Sequence, residues 1–437
     1  MRAAALAAAL AAALFLPGRA LGLGAFLVAL LVALALERTG ALGRRAILYG
    51  FPALALVAMC ALRDAGWVIA LDLTAAWGLA TLAVSGPRVV ALAAPLLRLR
   101  EAPSVAPAPP AGAAPAVRGA LLGSLVVLPF GVLFWTADAA FAQTAQALPL
   151  PSAASLPGRV AAFGLVLAAA LGLALAARRP LAARRIVVPR PLGILEWAIP
   201  LALLDGLFAS FVAVQFTVFF GGHDHVLETA GLTYAEYARQ GFWQLLAASG
   251  LTLGIVAAAA EIARPARGSH RRLRDALLGL LCLLTLVVLA SAVRRLLLYE
   301  EAFGLTRSRL AAEAAALWLG GFFALVIAAG LSAGARRRFA PAASVGSALA
   351  LLAFSLANPD GLIAERNVDR WRDSGRLDVR YLQELSADAA PAIAALPPAL
   401  EHAALEPLAE RLAGGDPWSS FNVARHRARG IVARSRH

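Results

Sequence analysis

Apolar runs of membrane-spanning length recur along this chain, and no other feature limits its fold so severely. A helix needs roughly 20 apolar residues to cross the hydrocarbon of a bilayer. Inside hydrocarbon each backbone N–H and C=O must find its partner within the segment, which the α-helix provides. Apolar stretches bounded by Arg, Gly and Pro mark eleven candidate spans: 3–16, 21–36, 46–62, 67–84, 118–137, 158–177, 193–220, 241–260, 275–293, 310–331 and 341–357. Composition agrees, with 60% hydrophobic residues, 15% charged and a mean hydropathy of +0.74. A water-soluble domain runs nearer half apolar and a quarter charged. The expected fold class is all-α: a polytopic membrane helical bundle of about eleven transmembrane helices with a small helical C-terminal tail.

The first run is short for a span. With Arg2 before it and Gly18-Arg19-Ala20 after it, a cleaved signal peptide is the alternative. Pro17-Gly18 reads equally as a hairpin turn into the next span, and that reading is taken here.

Orientation follows from the Arg count of alternate loops. Loops 37–45, 85–117 (with Arg118), 178–191, 261–274 and 332–340 together carry 20 Arg, and the opposite set carries 8. The richer set is expected in the cytoplasm. That puts the amino terminus inside and the tail outside. Loop 294–309 departs from the rule with Arg294, Arg295, Arg307 and Arg309, for which Glu300, Glu301 and Glu313 offer local compensation.

The segment 101–117 is a Pro/Ala-rich cytoplasmic linker with polyproline-like stiffness. It divides an amino-terminal four-span block, 1–100, from a seven-span core, 118–357, and the tail follows over 358–437. Asn358-Pro359-Asp360 has the order of a helix start, and further helices are predicted over 377–386, 398–413 and 419–435.

All 40 basic residues are Arg, while Asn (three) and Met (two) are scarce. Such a composition is the mark of a GC-rich coding sequence, so Arg abundance carries no argument for phosphate or nucleic acid as partner. The positive charge is the ordinary cytoplasmic bias spread over five loops, not a patch. Cys60 and Cys282 each lie in an apolar run and read as small hydrophobes. No Walker loop, dinucleotide fingerprint or HExxH occurs. No cofactor is expected, and no metal: His223-Asp224-His225 lacks a third ligand at a defined spacing.

What remains is polar chemistry that the topology gathers on one side. Thr233 and Glu236 have capping-box spacing ahead of the eighth span, and Tyr234 and Tyr237 would lie at headgroup depth. Arg294, Arg295, Tyr299, Glu300 and Glu301 crowd the end of an apolar run. Charges there must pair or be hydrated, and a structural ion-pair network is the alternative to an anion site. The candidate outer-face pocket is Asp138, Tyr234, Glu236, Arg239, Arg294, Arg295, Tyr299, Glu300, Glu301 and Arg307. Its expected partner is membrane lipid, anionic headgroups included. Asp205 and Gln215 are the intramembrane polar candidates. Asp72, near the Arg63-Asp64 turn, can reach the interface. The few Asn and four of the five Tyr fall on the outer side or in the tail, retained against the coding bias.

At these segments the chain resembles a bacterial integral-membrane family catalogued as domain of unknown function 4173. The resemblance rests on Leu62-Arg63-Asp64, Leu133-Phe134 with Ala137-Asp138, and Phe208 through Gln215. It also takes in Gly221-Gly222, Thr233 through Arg239, Ala292 through Arg307, Asn358-Pro359-Asp360, Leu377-Asp378 with Tyr381, Leu385-Ser386 with Asp388, and Trp418 with Phe421-Asn422. It implies an integral membrane protein and no assigned activity. It also implies an amide at the position of Asp205.

Three functions suit such a chain. An envelope binding, sensing or scaffold component comes first. A transporter or lipid flippase would use Asp205 and Gln215. A membrane-embedded transferase acting on a lipid-linked glycan or phosphate would use the outer-face charges. At the end of the tail, Phe421, Ala424, Ala428, Ile431 and Val432 recur at helical spacing among five Arg, with no acid after Asp416. Contact of this helix with the membrane or the membrane domain is expected in preference to packing on the tail.

Overall fold

The computed structural model describes residues 2–16, 20–37, 43–85, 156–178, 194–220, 242–262 and 268–435. Every regular element among them is a helix. We number these α1 (Arg2–Phe15), α2 (Leu23–Glu37), α3 (Phe51–Leu62), α4 (Gly66–Ser85), α5 (Leu156–Arg178), α6 (Ile194–Phe220), α7 (Phe242–Ile262) and α8 (Gly268–Phe303). Then come α9 (Arg307–Leu331), α10 (Ala333–Leu356), α11 (Pro359–Ser374), α12 (Val379–Gln383), α13 (Ala390–Ile393), α14 (Pro398–Leu412) and α15 (Val423–Ser435). A π-helical stretch, Ala46–Gly50, leads into α3. The linker 101–117 and the run 118–137 lie outside the described residues.

Five stretches among the described residues are long and apolar enough to cross a membrane: Gly43–Leu62, Gly66–Ser85, Gly268–Glu301, Arg307–Leu331 and Ala333–Leu356. Their apolar character runs all the way round. Leu317 and Leu331 of α9, like Leu203 and Leu207 of α6 and Leu251 of α7, point outward at 64% exposure or more. A helix with one face in a core and an apolar opposite face needs lipid on that face. The protein is membrane-embedded.

The chain forms two compact units. The first comprises Met1–Ala183, Leu351–Asn358 and Arg380–His437. In it α1 packs between α2 and α5, and α3 packs on α2 and α4. Ala8, Ala9 and Ala12 of α1 are fully buried, and side chains this small let helix backbones approach closely. Gly22 serves the same end. A Cβ there would stand 2.5 Å from the Ser420 carbonyl, so the turn before α2 can sit against the tail only with glycine.

The second unit comprises Arg184–Ala350 and Pro359–Val379. Its axis is α8, against which α6, α7 and α9 pack. Trp197, Leu201, Val256, Leu278, Leu281, Cys282, Leu289, Leu319 and Phe323 form its core. At 1.5 Å per residue the 36 residues of α8 extend about 54 Å, well beyond the roughly 30 Å of hydrocarbon. Only 276–293 is free of charge, which matches that thickness; Arg271, Arg272, Arg274 and Asp275 mark one end, and Arg294, Arg295, Glu300 and Glu301 the other.

Three expectations need correcting. The segment 294–309 is not a loop: α8 continues to Phe303, and only Gly304–Thr306 separates it from α9. Asp72 does not reach an interface. It is fully buried on α4, where Ser355 Oγ donates to its two oxygens at 2.8 and 3.0 Å. Asn358 is not an ordinary N-cap, because its φ of 61° is left-handed where a cap residue is extended.

Candidate functional site

Of the outer-face candidates that the structure describes, Tyr299, Glu300, Glu301 and Arg307 lie at the α8–α9 turn of the second unit, and Arg294 and Arg295 lie earlier on α8. Gly304, at φ 78°, turns the chain, and its N–H closes α8 on the Glu300 carbonyl at 2.7 Å. The Arg309 guanidinium lies 4.1 Å from the centre of the Tyr299 ring and donates to the Gly304 carbonyl. Tyr299 in turn stacks on Phe303. Arg309 is thus held by a cation–π contact and a main-chain carbonyl. Glu300 lies in the fields of Glu313, Arg309 and Arg366, with one carboxylate oxygen buried and unpartnered among the described residues.

Helix α11 closes over this turn. Arg307 donates from Nε and Nη2 to the two oxygens of Asp360, at 2.9 and 2.5 Å, and Asp360 is fully buried. Asp360 therefore does more than complement the start of α11: it holds a bidentate fork. Asn367 Nδ2 donates to the carbonyls of Leu305 and Ile363, both at 2.8 Å, and Arg370 reaches the Glu301 carbonyl. Arg307 is engaged by α11 rather than open to a ligand.

Of the intramembrane candidates, Asp205 is buried on α6 and Gln215 belongs to the same helix. Asp138, Tyr234, Glu236, Arg239 and the His223–His225 run lie outside the described residues. Among those described, no group of three His, Cys, Asp or Glu side chains could hold a metal ion.

The first unit contains a polar constellation that the candidate list missed. It is built on the α3–α4 turn, Arg63-Asp64-Ala65. The backbone N–H groups of Asp64 and Ala65, unpaired at the start of α4, donate to Asp388 Oδ2 at 2.6 and 2.9 Å. At the end of α3, Asn422 Nδ2 donates to the carbonyls of Cys60 and Arg63 at 2.9 and 2.7 Å. The tail thus supplies a donor where a helix ends and an acceptor where the next begins, which is what helix termini require. Asn422 Oδ1 also caps α15, accepting the Arg425 N–H at 3.0 Å.

Arg425 is the hub. Its side chain donates to Asp64 at 2.6 Å, to Asp416 at 2.8 Å and to the carbonyls of Leu21 and Ser420. Arg63 reaches the Ser355 carbonyl at 2.9 Å and lies 3.6 Å from Asp388, and Asn358 Nδ2 donates to the Asp388 carbonyl at 3.2 Å. Burial alone would raise the Asp416 carboxyl, but hydrogen bonds from Arg425 and Arg429 outweigh it and hold it below its ordinary range. Asp388 goes the other way. Its burial prevails over the two N–H donors and Arg63, and its carboxyl is pushed up.

This corrects the reading of the tail's last helix. Ala424, Ala428 and Val432 are buried, and α15 packs on α13 and α14. Two of its Arg are compensated: Asp416 takes Arg425 and Arg429, and Asp64 takes Arg425 from 361 positions away. Packing on the tail and contact with the membrane-domain turn both hold. A signal for the constellation was present in the three scarce Asn. Asn358, Asn367 and Asn422 each donate an amide N–H to main-chain carbonyls, which an Asp cannot do.

A family model described as a domain of unknown function, DUF4153, matches residues 2–396. The chain belongs to DUF4153. The match is to this family and not to the domain of unknown function 4173 that the motifs resemble. Within DUF4153's matched residues lie Arg63, Asp64, Arg307, Asp360 and Asp388, while Asp416, Asn422 and Arg425 fall beyond them. No curated protein and no solved structure matches the chain.

Proposed function

We propose that this DUF4153 protein is an eleven-span bacterial inner-membrane component, amino terminus inside and tail outside, that serves the envelope as a binding, sensing or scaffold element. The carrying observation is the clasp between the α3–α4 turn and the tail. The side chains of Asn422 and Arg425 and the Asp388 Oδ2 atom are taken up by partners within it and by main-chain groups, the arrangement of a held platform rather than of reacting groups. The clasp also supports the topology. Asp64 and Arg425 meet at 2.6 Å, so an even number of crossings must separate them, and the sequence reading places eight between residues 64 and 358.

On this reading the outer ends of the spans form the ligand-facing side. Arg294, Arg295, Tyr299, Glu300 and Glu301 would then line a pocket with Asp138, Tyr234, Glu236 and Arg239, its ligand an anionic lipid headgroup. Reporter fusions test the frame: one after Ala357 is expected to signal from outside and one at Ala108 from the cytoplasm. A cytoplasmic signal from the tail fusion would overturn the orientation and the pocket with it. Native mass spectrometry of the purified chain tests the ligand, and bound lipids without an anionic headgroup would remove it.

A further inference from the structure

Asp205 lies near the middle of α6, in the row Trp197, Leu201, Asp205, Phe208, Val212 that helical spacing sets on one face. Trp197, Leu201, Asp205 and Val212 are buried, Asp205 at 4% exposure. Leu278, Leu281, Cys282 and Leu289 of α8 belong to the same core, and Asp205 is close enough to Cys282 for its charge to act on the thiol. Cys282 is the titratable group facing it from α8 among the described residues. Neither carboxyl oxygen of Asp205 has a hydrogen-bond partner among the described residues. Three buried hydroxyls of this unit bond elsewhere: Ser249, Thr252 and Thr285 each donate to a carbonyl one turn back in their own helix, at 2.7 to 2.8 Å.

A buried carboxylate needs a cation or an N–H, and the described residues supply neither to this one. A carboxylic acid needs neither, because it carries its own hydrogen and no net charge. We propose that Asp205 is an intramembrane proton-binding site: its carboxyl holds a proton while α6 and α8 are packed, and ionises when they part enough to admit water. The bound ligand is the proton, and its release is coupled to the packing of α6 on α8. This goes beyond the scaffold reading, since it makes the second unit responsive to pH from within the membrane.

The test uses carbodiimides on the full chain purified in detergent. A carboxylic acid adds across a C=N bond of the reagent: its oxygen bonds to the central carbon and its proton passes to nitrogen. Acyl migration from oxygen to nitrogen then leaves a stable N-acylurea, with no further reactant. Dicyclohexylcarbodiimide partitions into apolar cores, whereas a water-soluble carbodiimide does not. Peptide mapping is expected to find the adduct on Asp205 with the apolar reagent alone. It should persist at about pH 8, where exposed carboxylates are ionised and unreactive, and be lost in Asp205→Asn. No Asp205 adduct with the apolar reagent, or equal labelling by the two reagents, would overturn the proposal. Because the adduct is read on the unaltered chain, the result does not depend on the variant folding. Where Asp205→Asn does fold, wild-type thermal stability should fall as pH rises while the variant loses that slope; parallel curves would contradict the proton site.

Discussion

Replacing Asn422 takes away three hydrogen bonds at once, and two different substitutions separate them. Asn422→Ala removes the two donations to the Cys60 and Arg63 carbonyls and the cap on α15. Each buried hydrogen bond contributes roughly 1 kcal/mol net, and loss of an N-cap costs about 1 kcal/mol. The side chain is 1% exposed, so water does not replace what is lost. The tail's docking should therefore weaken by about 3 kcal/mol, roughly a hundredfold in its opening equilibrium. Asn422→Asp is the sharper probe. Aspartate caps a helix as well as asparagine does, but it has no N–H and sets a carboxylate against two carbonyl oxygens. Hydrogen-exchange mass spectrometry on the amides of α14 and α15 reads both variants. The Asp variant should exchange at least as fast as the Ala variant. Wild-type protection in Asn422→Asp would show that only the cap matters and that the bonds to α3 contribute nothing.

The α8–α9 turn and the electrostatics of the clasp give two more expectations. Arg307→Ala removes the bidentate fork from the fully buried Asp360 and should cost about 3 kcal/mol or more, whereas Asp360→Asn leaves a half-buried Arg307 that water can reach and should cost less; thermal unfolding in detergent gives the order, and the reverse order would refute it. The clasp should have an acid-side optimum. Asp388 binds its proton more tightly folded than unfolded, so lowering the pH from neutrality toward its ordinary value of 3.8 favours the clasped state. Asp416 has the opposite sign: its contribution is complete above 3.8 and is lost as pH falls through its depressed folded value. Proteolysis of the tail across this range should slow and then accelerate, with Asp388→Asn removing the first limb and Asp416→Asn the second.

The helices were legible because hydrocarbon imposes a length and a composition on each segment that crosses it. Every apolar run that falls within the described residues is helical. The charged ends of α8 were legible for the same reason, since Arg294 and Arg295 close its uncharged stretch. What sequence could not give were the partners of isolated polar residues. Nothing local distinguishes Asp64 from a turn acid or Arg425 from a surface base, for they lie 361 positions apart. Asp360 carried a sufficient local explanation, helix-start chemistry, which concealed its bond to Arg307. The scarce Asn residues pointed the right way, yet their rarity named no carbonyl as acceptor.

The clasp also has a consequence in time. The α3–α4 turn leaves the ribosome early, and Arg425 follows it by 361 residues. At 5–20 residues per second that interval is about 20–70 s. Throughout it, the N–H groups of Asp64 and Ala65 and the carbonyls of Cys60 and Arg63 must be hydrated, because the side chains that will satisfy them do not yet exist. The α3–α4 hairpin can therefore insert but cannot mature until the last helix has been made and delivered to its side of the membrane. A chain that stalls before Asp388 leaves all of those groups open, and one that stalls between Asp388 and Asn422 still leaves the Cys60 and Arg63 carbonyls without their donor.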